Sequence, residues 1–133
     1  MLLGGLGADT ILGGSGEDQI SGGQGNDSID LAGGGNDVVR YTSTLDGKDV
    51  ITGFDSNNDG GTDQLNLDAL FDTLGVANGS RAARVQIDDP GNNGGTVEIR
   101  VDTNGDATFD LHVATIETTT ASPLAVGTEV IVT

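Results

Sequence analysis

The sequence predicts an all-β chain. Short parallel strands, stacked from nonapeptide repeats, fill residues 1–53; a β-rich cap with one short helix fills residues 54–133. Three observations lead there. Nine-residue blocks recur from Gly4 to Arg40, each a glycine-rich turn followed by a short stretch centred on one apolar residue. Apolar and polar residues alternate in several segments between Val85 and Ile116, as in half-buried strands. Aromatic residues make up only 3% of the chain, so its core must be aliphatic and thin. A fixed period of this kind has to be interpreted before any single residue is.

The blocks are Gly4–Leu12, Gly13–Ser21 and Gly22–Asp30, then a displaced fourth, Ala32–Arg40, set back by one added residue, Leu31. Asp9, Asp18 and Asp27 recur every nine residues and Asp37 follows ten later. Two positions after each comes an apolar residue: Ile11, Ile20, Ile29 and Val39. Glycine serves where the chain turns at positive φ or approaches another group closely. A three-residue strand buries nothing alone, but its Ile joins a ladder once neighbours stack on it. If two blocks make one coil, Asp9 and Asp27 stack on one side, and Asp18 and Asp37 on the other. Strands lie about 4.8 Å apart. Two carboxylates about 5 Å apart repel by roughly 3 kcal/mol at an effective dielectric near 20. A calcium ion, which accepts oxygens at about 2.3–2.6 Å, bridges such a pair. The empty coil, rich in glycine, is not expected to hold. A flexible Gly/Asp linker is the bland alternative, but a linker has no reason to keep Ile in phase with Asp.

The blocks resemble the RTX repeat, G-G-x-G-x-D-x-U-x with U a large apolar residue. Three copies match at every fixed position, and the fourth departs at Ala32 and Leu31. The resemblance implies a right-handed parallel β-roll that binds Ca2+ through turn carbonyls and aspartate carboxylates. Carried over position by position, the carboxylate ligands are Asp9, Asp18, Asp27 and Asp37. The carbonyl ligands come from turn residues such as Gly5, Gly7, Gly14, Gly16, Gly23 and Gly25. The later segments Asp49–Asp55 and Asp63–Leu70, with the strand-turn-strand Val97–Val113, resemble the region that follows the repeats in RTX proteins. The closing Glu129–Thr133 is similar to the acidic-plus-apolar tail of many type I secretion substrates. Gly53 and Thr133 depart from those patterns.

Beyond the repeats, Asp49-Val50-Ile51 keeps the D-x-U pattern without the glycines, so Asp49 is expected to pair with Asp27 across the next coil and to serve as a further calcium ligand. Asp46-Gly47 reads as a turn. Residues 55–63 carry side-chain oxygens at positions 1, 3, 5 and 9 and Gly60 at position 6, like the first half of an EF-hand loop; position 12 is Asn66, without the closing Glu. A calcium loop and a solvated loop of Asx-turns both fit. Leu65-Asn66-Leu67 suggests a short strand. Asp68 then suggests a cap for a two-turn helix with Leu70, Phe71 and Leu74 on its inner face and Gly75 as its stop. Residues 76–84 read as loop, with Asn78-Gly79 a turn and Arg81 and Arg84 on a solvated face. Strands are expected at Val85–Ile87, Thr96–Val101 and Phe109–Ile116, with a turn over 89–94. The connection from Asp102 through Asn104 and Asp106 to Asp110 again spaces oxygens as calcium ligands at positions 1, 3, 5 and 9. It equally fits an Asn-Gly hairpin turn. Pro123 breaks the chain and Val130–Val132 forms a last strand.

The formal charge of −16 suits cations and disfavours nucleic acid and anionic membranes. No apolar run is long enough to be a transmembrane segment, and Met1-Leu2-Leu3 runs straight into glycines, so no secretory signal peptide is expected there. With no cysteine, disulfide scaffolds and thiolate zinc sites are excluded. Leu2 sits nine residues before Ile11, in the apolar slot of an earlier block, so the chain is expected to begin in mid-repeat. No catalytic residues are expected. His112 is the single histidine, within a strand pattern; Ser15 lacks the last glycine of a nucleophile elbow, and the Gly-rich turns lack a phosphate-binding lysine.

The expected function is non-enzymatic. It is calcium-induced folding, with guidance of type I secretion, near the C-terminus of an extracellular RTX adhesin or toxin. The implied partners are calcium and the type I secretion apparatus of ABC transporter, adaptor and outer-membrane channel, with a glycan or host surface reached through the parent protein. Two alternatives stand beside it: the C-terminal piece of a secreted protease or lipase, and a polysaccharide-binding module.

Overall fold

A computed structural model of the chain describes residues 1–55, 61–88, 95–118, 124, 127 and 129–133. The chain alternates between two sheets. Strands β1 (Leu2–Leu6), β3 (Gln19–Gln24), β5 (Val38–Arg40) and β7 (Gln64–Asn66) lie in one; β2 (Thr10–Leu12), β4 (Ser28–Asp30) and β6 (Asp49–Phe54) lie in the other. Each pairs in parallel with the strand two places earlier. The first sheet is completed by β11 (Val130–Ile131), parallel to β7. In the second, β10 (Leu111–Thr118) runs parallel to β6, then β9 (Thr96–Val101) and β8 (Val85–Asp88) follow antiparallel. The expected division after residue 53 falls within β6.

The register is set by one apolar residue per strand. Leu2, Ile20, Val39, Leu65 and Val130 stand opposite one another in turn in the first sheet. Ile11, Ile29, Ile51 and Ile116 do so in the second. Slipping any strand by one residue would send its apolar side chain to the other face. Ile29, Val39, Ile51, Leu65, Ile116 and Val130 are fully buried and belong to one aliphatic cluster that also holds Tyr41, Phe54 and Phe71. Leu31, the residue added before the fourth block, is buried in that cluster, and its amide bonds to Thr52 O, so the insertion enlarges the core. Gly53 departs from the expected acidic residue for a steric reason. Its φ is +72°, and a Cβ there would overlap the backbone nitrogen of Ala32.

Several expectations are corrected. The loop expected over 76–84 holds a second short helix, α2 (Asn78–Arg81), and a 3-10 turn at Ala82–Arg84. The first helix, α1 (Asp68–Thr73), buries Leu70 and Phe71 and is followed by Gly75 at φ +68°. Asp68 does not cap it: Leu67 holds the cap position, and the Asp68 carboxylate instead accepts from Thr133 N and Oγ1 and from Arg81. Arg81 is buried, not solvated. Its guanidinium donates to Val76 O, Thr133 O, Asp68 and Asp72, so its charge is met on every side. Strand β10 begins at Leu111 and not at Phe109, because the Asp110 carboxylate turns back onto Thr103. The expected turn at 89–94, the middle of the acidic loop at 56–60 and Pro123 lie outside the described residues.

Candidate metal-binding turns

Where the chain passes from one sheet to the other, the aspartates form two ladders. On one side the Asp9 amide donates to Asp27 Oδ1 at 2.8 Å, and the Asp27 amide to Asp49 Oδ1 at 2.9 Å. On the other the Asp18 amide donates to Asp37 Oδ1 at 2.9 Å, and the Asp37 amide to Asp63 Oδ1 at 2.9 Å. Each carboxylate therefore reaches back one coil with one oxygen. The pairings expected from the repeat period, Asp9 with Asp27 and Asp18 with Asp37, and from the D-x-U triplet at Asp49, Asp27 with Asp49, are the ones formed. Asp63 was not expected there. Its signal was Asp63-Gln64-Leu65, the same D-x-U triplet, hidden by the long acidic loop before it.

The second carboxylate oxygens carry the chemistry. Oδ2 of Asp9, Asp27 and Asp37 is buried with no hydrogen-bond partner. Asp27 and Asp37 are 3% and 0% exposed. A buried charge without a partner is costly, and such an oxygen needs a proton or a cation. Burial pushes the Asp37 carboxyl above its ordinary value, against the Asp18 amide that holds it down.

The turns close around these oxygens. A Cβ at Gly22 would overlap Asp27 Oδ2, and one at Gly4 would come within 2.8 Å of Asp9 Oδ2. The carbonyls of Gly5 and Gly7 lie under Gly23 and Gly25, and those of Gly14 and Gly16 under Gly33 and Gly35; a Cβ on any of the upper glycines would strike the carbonyl below. Glycine is thus required for turns to stack carbonyl onto turn. Among the described residues no three carboxylates or histidines converge on one point. An ion here would draw one or two carboxylate oxygens from a ladder and the rest from turn carbonyls. That all-oxygen, carbonyl-rich donor set fits calcium, which takes about 6–8 oxygens in flexible geometry, and the orphaned Oδ2 atoms fit the same ion.

The two other acidic loops differ. In 102–110 every carboxylate oxygen accepts from the loop itself: Asp102 from Asn104, Gly105 and Ala107 amides, Asp106 from Thr108 N and Asn104 Nδ2, Asp110 from Thr103 N and Oγ1. Those bonds hold the Asp106 and Asp110 carboxyls below the usual range. In 55–63 the described ends clasp each other, the Asp55 amide donating to Asp63 Oδ2 and the Asp63 amide to Asp55 O. His112 packs in β10 with Nε2 against Ala114 O and Thr115 Oγ1, and burial lowers its pKa. No helix among the described residues is long and apolar enough to cross a membrane.

Residues 1–29 match the family model described as the RTX calcium-binding nonapeptide repeat, in four copies. The match holds Asp9, Asp18 and Asp27 and ends before Asp37. No curated protein and no solved structure matches the chain.

Proposed function

We propose that this chain is a calcium-triggered folding module of a secreted RTX protein. The stacked turns of a right-handed parallel β-roll hold Ca2+, and the later strands cap the roll. The observation that carries the reading is the buried, unpartnered Oδ2 of Asp27 and Asp37, set among stacked glycine carbonyls. Asp9, Asp18, Asp27 and Asp37 would supply the carboxylate oxygens, and Gly5, Gly7, Gly14, Gly16, Gly23 and Gly25 the carbonyls. Bound calcium would supply the partner that the buried Oδ2 atoms of Asp9, Asp27 and Asp37 lack.

The proposed role is non-enzymatic and follows from linkage. Extracellular-type calcium sites have dissociation constants of about 10⁻⁴–10⁻³ M. The chain would stay loose where free calcium is scarce and fold where it is abundant, because the ion binds only the folded form. This suits export of an unfolded chain by a type I apparatus, with folding outside opposing its return. An adhesin or toxin is the parent protein we favour. A calcium titration followed by circular dichroism tests the reading. Growth of β signal that saturates in the millimolar range and reverses in EGTA is expected; a chain equally compact and heat-resistant without calcium overturns it.

A further inference from the structure

The two ladders do not end as they begin. At Asp27 and Asp37 the second carboxylate oxygen is orphaned. At the last rung of each ladder it is satisfied by the protein. Asp49 Oδ2 accepts the Tyr41 hydroxyl at 2.7 Å, and Asp63 Oδ2 accepts the Asp55 amide at 2.9 Å. The turn that leads to Asp49 has also changed. Thr44 and Leu45 stand where Gly22 and Gly23 stand one coil earlier, and of that turn's glycines Gly47 is kept, seated over Gly25 O. The Asp46 carboxylate, buried beside it, ties the turn to the amides of Thr42 and Ser43.

We propose that the Tyr41 hydroxyl and the Asp55 amide terminate the two columns of bound calcium, each giving the last carboxylate the partner that a cation gives the carboxylates before it. This rests on the calcium reading above and assigns Asp49 to the closure of the column, outside its ligand set. Tyr41 is the single tyrosine of the chain, is 2% exposed and reaches Asp49 from within the core. A hydroxyl donor there removes the need for a metal while keeping the carboxylate that receives the Asp27 amide. The first coil remains metal-dependent and the junction with the cap becomes metal-independent.

The test counts calcium per folded chain, by native mass spectrometry and calorimetry, in the full chain and in variants checked by circular dichroism. Asp27→Asn is expected to lose one ion. Asp49→Asn, which still accepts the Asp27 amide and can donate to the Tyr41 oxygen, is expected to keep the parent count, and Tyr41→Phe, which orphans Asp49 Oδ2, is expected to bind one ion more than the parent. A folded Asp49→Asn that loses as many ions as Asp27→Asn overturns the proposal, and so does a folded Tyr41→Phe that gains none. Should Asp49→Asn not fold, the Tyr41→Phe count decides. A parent chain that binds no calcium defeats the reading of the preceding section; a parent that binds it beside a depleted Asp49→Asn defeats this proposal alone.

Discussion

Asp9 and Asp27 stand one coil apart, and the amide of the first donates to Oδ1 of the second at 2.8 Å, leaving Oδ2 of Asp27 buried without a donor. One half of the carboxylate is structural and the other half is available. That division makes the effect of removing its charge depend on calcium. In chelator, Asp27→Asn should be no less stable than the parent, and up to about 1–3 kcal/mol more stable, because an unpartnered buried charge is gone. In millimolar calcium the order should reverse. The folded fraction by circular dichroism in chelator and the denaturation midpoint in millimolar calcium, for both chains, read the crossing, and a variant weaker in both would show that the charge has no partner to gain.

The metal-free chain should be more stable in mild acid than at neutral pH. Burial raises the carboxyls of Asp37, Asp49 and Asp63, Asp49 from an ordinary 3.8 to about 6. The folded chain then binds more protons than the unfolded one between those values. The contribution of Asp49 is full below about 3.8 and is lost as pH rises through about 6. Circular dichroism of the calcium-stripped chain at pH 4.5 and 7.5 measures this; the larger β signal should be the acidic one. Calcium affinity should move the other way, falling in acid.

Gly23 and Gly79 should respond oppositely to alanine. Gly23 has φ +100°, and a Cβ there would strike the Gly5 carbonyl. Gly79 lies in α2 with open space around it. Gly23→Ala is expected to cost more than about 2 kcal/mol and to weaken calcium binding, whereas Gly79→Ala should gain about 0.5–1 kcal/mol from helix propensity. Denaturation midpoints in calcium test both.

Arg81→Ala should destabilise the chain by about 2 kcal/mol, since it strips charged hydrogen bonds from Val76 O, Thr133 O and Asp68. Hydrogen exchange should then rise at Leu65 and Leu67, whose amides bond to the β11 segment at Glu129 and Ile131. Unchanged protection there would mean that the arginine does not hold that strand.

Residues 1–53 alone should remain unfolded even in millimolar calcium. Without β7 and β10 the outer edges of β5 and β6, which hold Val39 and Ile51, are left unpaired, and with two blocks to a coil the fragment has only about two stacked coils, fewer than the roughly three stacked units a repeat array needs. A calcium-induced β signal from that fragment would contradict this.

What was legible in the sequence was whatever its period carried. The phase of Asp against Ile placed Asp9 beside Asp27, Asp18 beside Asp37, and the apolar ladder between the sheets. The D-x-U triplet without glycines was enough to place Asp49. Asp63 escaped because a long insertion hides the period, although its triplet is intact. The burial of Arg81 was not readable, because its partners Asp68, Asp72 and Thr133 are assembled by tertiary contact and leave no local pattern. Asn78-Gly79 reads as a turn by composition, yet both residues lie in the short helix α2, whose last residue is the buried Arg81. The parallel pairing of β10 with β6, followed by antiparallel β9, likewise answers to no local rule, since alternation gives a strand its faces and says nothing of its neighbour.

Strand β11 lies against β7, with Val130 opposite Leu65. That pairing is non-local, and non-local pairing is slow to form. Wherever β11 is undocked, β7 is an open sheet edge, and the repulsion of the acidic surface works against its pairing with another chain.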